Sequence, residues 1–302
     1  MQLTTEINTA TPPPSVIGIP DVQADSDPLP ENDEPQLETF NDADLLGTET
    51  DAYLAMLDQP ATLMTGVLWG AKDRRNTQDG DWLPVTRPWV NWLIGGEGDK
   101  NNAPWGFTHH PVNKAKEGAC VVLGSSVGKA RKANAMQTMY AMGLDIDSGA
   151  SLDSMLDKVE DLGLFCIVYT THSHGKALSP LPRDTVIQKL KIKPDELDDS
   201  KVREYLRVFD KNRYEESFIA RVKITDARKE TKAGEVIEVS SPPLDKYRLI
   251  FPLANPVNIR DLAETRGAAL DVWEDKITGL ARETLGVHFD TSCTDPSRLF
   301  FT

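Results

Sequence analysis

The stretch from Ala141 to Thr170 constrains the fold of this chain more tightly than any other. Residues 139–147 are apolar enough to form a central strand. Residues 151–162 follow as a helix: Ser151 is a candidate N-cap, and Leu152, Met155, Val159 and Leu162 recur at helical spacing. Gly163 stops that helix, and 164–170 is the continuous apolar run of a buried strand. A strand–helix–strand crossover sets its two strands parallel, so both end at the same edge of a sheet. Ligands of open α/β sheets bind at that edge.

Two clusters of reactive side chains fall there. Asp145 and Asp147 are two residues apart on the first strand, so their carboxylates share a face while Leu144 and Ile146 take the opposite, buried one. Paired carboxylates repel unless a cation lies between them, and hard oxygen-seeking ions such as Mg²⁺ or Mn²⁺ suit the pair. Two such ions can stabilise both the attacking and the leaving oxygen at phosphorus. Taken alone, Asp-x-Asp is equally a pair of solvated carboxylates at a strand end. The second strand ends in Thr171-His172-Ser173-His174-Gly175-Lys176. A His or Lys at that edge can hold a nucleotide's phosphates, and a neutral His can move a proton; ordinary turn residues are the alternative. Lys246 and Arg248 lie on a later strand, where Arg suits phosphate or an acidic neighbour. Asp290 ends a further apolar stretch, with Asp295 close behind it as a rival third acid or a simple turn residue.

The net charge of −14 argues at first against a nucleic-acid partner. Its distribution takes the force out of that argument. Residues 1–60 carry 13 acids and no Lys or Arg, which leaves 34 acids against 33 bases in the rest. The acidity belongs to a Pro-rich tail expected to be disordered, and a folded body over 61–302 can carry a local basic groove. Trp69, Trp82, Trp89, Trp92 and Trp105 read as core, with base stacking as the less favoured alternative. Gly124-Ser-Ser-Val-Gly-Lys129-Ala130 follows a strand at 119–123 but lacks the spacing and hydroxyl of a phosphate-binding P-loop. Cys120, Cys166 and Cys293 are scattered, so neither a disulfide framework nor zinc is expected. No apolar run is long enough to span a bilayer and no secretory leader is visible, so a cytoplasmic protein is expected. Residues 177–243 form an excursion from the core: a helical stretch, then a hairpin of 218–224 and 235–239. A returning strand at 246–253, a long helix over 259–285 and a last strand at 298–302 complete the pattern. The chain stops inside that apolar run, as a truncated fragment would.

Four pieces in order resemble the archaeo-eukaryotic primase, or primase-polymerase, superfamily in its phage and mobile-element branch. They are Leu144–Asp147, Tyr169–His174, Lys246–Leu253 and Phe289–Phe301. The resemblance implies an α+β fold, with an RRM-like mixed β-sheet, flanking helices and here an inserted helix-plus-hairpin segment. It also implies template-directed nucleotidyl transfer, with primer synthesis and extension, on single-stranded DNA from NTPs or dNTPs. Asp145, Asp147 and Asp290 would hold two Mg²⁺ or Mn²⁺ ions. His174, or His172 in its place, would contact the nucleotide, with Ser173, Lys176, Lys246, Arg248 and Arg298 around it. A replicative helicase would be the partner. Two rivals remain: a His-x-His nicking initiator with Tyr205 or Tyr214 as nucleophile, and a non-catalytic single-strand-binding module.

Overall fold

The computed structural model describes residues 51–68, 82–96, 105–107, 118–210, 212–232 and 234–302. The acidic stretch 1–50 and Trp69 lie outside these. In chain order the elements are α1 (51–58), β1 (Pro60–Leu68), β2 (Leu83–Pro88), α2 (Trp89–Ile94), β3 (Gly118–Val122), β4 (Gly124–Ser126) and β5 (Met136–Ile146). Then come α3 (Leu152–Asp161), β6 (Ile167–Thr170), β7 (Leu181–Pro182), α4 (Arg183–Leu190), α5 (Asp199–Val208) and α6 (Glu216–Ile219). The chain closes with β8 (Lys223–Thr231), β9 (Gly234–Ser240), β10 (Tyr247–Asn258), α7 (Arg266–Gly279) and β11 (Leu299–Phe301).

The architecture is α+β. One sheet runs β11-β3-β1-β2, the second β4-β5-β10-β6, and a small third sheet β7-β9-β8. The crossover forms as expected in direction, since β5 and β6 are both antiparallel to β10 and so parallel to each other. They are not neighbours, because β10 lies between them. Every pairing among the described strands is antiparallel, so the mixed ladder expected from sequence is absent from them. Local periodicity carries no information about a strand that arrives seventy-odd residues later.

The helix between β5 and β6 is built as its sequence suggests. Ser151 accepts the Ser154 N–H through its side chain at 3.3 Å, and Met155 and Val159 face inward. The Leu152 N–H donates to Asp245 Oδ2 at 3.0 Å, which ties the helix start to the entrance of β10. A capping bond of this kind is worth about 1 kcal/mol. The second strand is shorter than its apolar run: β6 starts only at Ile167. The long helix also divides. Residues Ile259–Leu262 form a 3-10 turn, Thr265 caps α7 by accepting the Ala268 N–H at 3.3 Å, and Leu280–Thr284 wind as a π turn.

Two apolar cores result. The main one joins both large sheets, with Trp82, Trp89 and Trp92 fully inside and the Trp92 indole donating to the Ala61 carbonyl at 3.1 Å. The packing reading of these tryptophans therefore holds. Gly143 is required by a close approach: a Cβ there would meet the Phe300 ring at 2.6 Å, so only glycine lets β11 settle on this face of β5. The excursion has a core of its own, including Val186, Val202, Leu206, Phe218, Ile219 and Ile237. Phe218 sits in α6 rather than in the hairpin, because adjacent Phe218 and Ile219 are both buried, a pattern that a half-exposed strand cannot supply.

Candidate active site

The strand register assembles the site. Across β5, β10 and β6, Asp145 stands opposite Arg248, and Arg248 opposite Tyr169. Cross-strand partners share a face, so these side chains form one row. Asp147 and Lys246 lie one step beyond the paired strands and extend it, with Lys246 Nζ 3.4 Å from Asp147 Oδ1.

The Asp145 row is enclosed. Asp145 and Arg248 are each only 4% exposed. Arg248 lies between the rings of Tyr169 and Phe300, donates to the Phe301 carbonyl and reaches Asp145 Oδ2 at 3.5 Å. Desolvation works against its charge; Tyr169 and Asp145 outweigh that, and its pKa is raised. A second guanidinium, Arg298, comes within 3.7 Å of the same Asp145 oxygen. The other oxygen, Asp145 Oδ1, is buried without a hydrogen-bond partner. The neighbouring Cys293 thiol is pushed up to about 12 by burial and by the Asp145 charge.

Asp290 joins the row through its backbone, whose N–H donates to the Asp145 carbonyl at 2.9 Å. Its Oδ1 accepts the Ser292 N–H at 3.0 Å, and its Oδ2 accepts from Arg298 Nη2 at 2.8 Å. Arg298 thus bridges Asp145 and Asp290 through one guanidinium nitrogen. Asp295 is occupied elsewhere: its Oδ1 accepts both the Ser297 N–H at 2.8 Å and the Ser297 hydroxyl at 2.7 Å, as a turn residue does. Of the two rival acids, Asp290 is the one set beside Asp145.

Asp147 and Asp290 open together onto a cleft of about 190 Å³, with Asn212, Arg213, Arg282 and His288 on its lining. The histidine turn is placed differently. Its backbone pairs with the residues before β10: Thr171 N–H to the Lys246 carbonyl and Gly175 N–H to the Leu244 carbonyl, each at 2.9 Å. His174 Nδ1 accepts the Lys246 N–H at 3.2 Å and lies 4.0 Å from Asp245 Oδ1. With Nδ1 accepting, the ring presents Nε2 as its free polar atom. His172 and Ser173 are half-buried and Lys176 is exposed; none of the four lines the cleft. Arg248 sits behind the carboxylates instead of at their open side.

The three acids could hold a divalent ion only after their cations shift. Among the described residues no group of three His, Cys, Asp or Glu side chains is gathered closely enough to hold a metal. Arg298 and Lys246 supply the positive charge between and beside the carboxylates instead. The unpartnered Asp145 Oδ1 and the oxygen-only acid set suit a hard cation.

Sequence reasoning overlooked Arg213 and Arg282. Arg213 falls in the excursion and Arg282 at the end of a helix, and nothing in either segment's pattern points toward the carboxylates. The nicking alternative finds little support in its tyrosines. Tyr205 and Tyr214 are buried in the excursion's core, burial raises both phenol pKa values, and the Tyr214 hydroxyl accepts from Asn212 Nδ2 at 2.7 Å. Among the described residues no helix is long and apolar enough to cross a membrane. No protein-family model, curated protein or solved structure matches this chain.

Proposed function

We propose that this protein is a metal-dependent nucleotidyltransferase that makes and extends primers on single-stranded DNA, as members of the primase-polymerase superfamily do. The observation that carries the reading is Asp145: a buried carboxylate with one unpartnered oxygen, in register beside Asp147 and joined through the backbone to Asp290. A buried acceptor left unpaired costs roughly 1–3 kcal/mol, a cost retained where it serves a ligand. The β4-β5-β10-β6 order, with α3 crossing between β5 and β6, accords with an RRM-like core.

A divalent ion held by Asp145, Asp147 and Asp290 would supply charge neutralisation and polarisation at phosphorus. The chain's own groups do the rest. Arg298 and Lys246 hold the acids within reach of one another. Arg248, locked between two rings, fixes the Asp145 carboxylate. His174, anchored through Nδ1, offers its Nε2 proton to a nucleotide phosphate at the edge of the site. The reaction joins a primer 3′-hydroxyl to the α-phosphate of an NTP or dNTP and releases pyrophosphate. Replication of a phage, plasmid or mobile element, alongside a replicative helicase, is the corresponding setting.

Incorporation of labelled NTPs and dNTPs on a single-stranded template with Mn²⁺ tests the proposal. Template-dependent products are expected. Binding of DNA with no product under Mg²⁺ or Mn²⁺ would leave only a single-strand-binding module.

A further inference from the structure

The 190 Å³ cleft is lined by groups of opposite charge that no sequence motif had joined. Asp147 and Asp290 belong to the carboxylate row, whereas Arg213 comes from the inserted segment and Arg282 from the π turn after α7. Both arginines are exposed, and neither side chain forms a hydrogen bond or ion pair with another described residue. Two exposed guanidiniums without an ion-pair partner among the described residues therefore share one cleft with two carboxylates.

The backbone at both positions is specialised. Arg213 has φ 48°, a left-handed conformation that costs a non-glycine residue about 1 kcal/mol. The surrounding loop enforces it. The Asn212 N–H donates to Asp210 Oδ1 at 2.9 Å, Asn212 Nδ2 donates to the Tyr214 hydroxyl, and the Glu215 N–H donates to the Ser148 carbonyl at 3.0 Å. That last bond ties the insertion to the segment just after Asp147. Arg282 rides on Leu280–Thr284, whose π winding is locked by Val287 N–H to the Ala281 carbonyl at 2.9 Å. Single π turns recur at functional sites.

We propose that Arg213 and Arg282 grip the polyphosphate of the incoming nucleoside triphosphate in the cleft they share with Asp147 and Asp290, which makes the inserted segment part of the substrate site. This rests on the nucleotidyl-transfer reading and adds triphosphate contacts from the insertion and the π turn to the His174 contact at the edge of the site. Forked guanidiniums match phosphate oxygens, and the opposing acids require that the polyphosphate arrive with a cation.

The test measures tripolyphosphate binding by calorimetry with Mn²⁺, and KM for the nucleotide, in the 302-residue wild type, Arg213→Ala, Arg282→Ala and Arg213→Lys. Thermal melts serve as the folding control, and both side chains are exposed. Each alanine variant is expected to weaken tripolyphosphate binding and raise KM by about tenfold or more with kcat retained. Arg213→Lys recovers only part, since it keeps the charge and loses the fork. Unchanged binding and KM in both alanine variants would overturn the assignment while leaving nucleotidyl transfer intact. Loss of single-stranded DNA affinity with normal KM would overturn it in favour of a template contact. If instead the variants lose tripolyphosphate but wild type makes no product, the cleft assignment stands and the polymerase reading falls.

Discussion

The Asp145–Arg248 pair and the ion pairs of the β8–β9 hairpin use the same chemical groups in opposite surroundings. On the hairpin, Arg228–Glu235 and Lys229–Glu238 close to 2.7 and 2.6 Å, with side chains 27–69% exposed. In the sheet, Arg248 and Asp145 stand 3.5 Å apart, each side chain about 5% exposed or less. Distance alone would rank the hairpin pairs as stronger. Burial reverses the consequence of losing one partner, because a charge stranded in the sheet has no water to turn to. Position in the fold therefore decides which acid is enclosed, which opens onto the cleft, and which lies at the surface.

That contrast is broken or sharpened by substitution, and the largest effect belongs to Asp145. Asp145→Ala is expected to abolish synthesis and to destabilise the protein by about 3–5 kcal/mol in urea unfolding, since it leaves Arg248 buried without its counter-charge. Asp147→Ala, two residues away at the cleft, is expected to abolish synthesis with no more than about 0.5 kcal/mol of lost stability. Equal stability of the two variants would remove the distinction between the enclosed and the open end of the row. Next in size, a double-mutant cycle on Asp145 and Arg248 is expected to give a coupling above about 1.5 kcal/mol. A coupling near zero would mean that the pair is no more than proximity. Smaller again is a pH effect. Burial pushes the Cys166 and Cys293 thiols from 9.0 to about 12, so between those values the folded state binds protons that the unfolded state has lost. The urea midpoint is expected to hold from pH 7 to 9 and to fall between pH 9 and 12, less steeply in Cys166→Ala. Smallest of all, Lys229→Ala on the hairpin is expected to leave the urea midpoint unchanged; a clear drop would show that the hairpin pairs are not the screened surface contacts described above.

The same contrast explains what could be read from sequence. Asp145 and Asp147 were legible because a period of two fixes their shared face, and Ser151, Met155 and Val159 because a helix repeats its spacing. Both are local rules. That Arg248 would stand opposite Asp145 was not legible, since β10, which lies between β5 and β6, follows in sequence only after the whole excursion with its own core. Nor did the sequence indicate that Gly143 admits Phe300, or that the Ser148–Glu215 bond would carry Arg213 to Asp147. Such contacts depend on register and on returning loops, and only an assembled chain displays them. The histidine motif was legible as a motif, yet its ring serves partly to hold the Lys246 backbone.

The central claim is that Asp145, Asp147 and Asp290 act as one cation-binding group. Titration of Mn²⁺ followed by electron paramagnetic resonance, on wild type and on Asp145→Asn, Asp147→Asn and Asp290→Asn, tests it most directly. The asparagine variants keep size and shape while removing charge. Saturable Mn²⁺ binding by wild type, weakened at least tenfold in each variant, is the predicted result. Binding that all three variants retain at wild-type strength, or no binding by wild type, would contradict it.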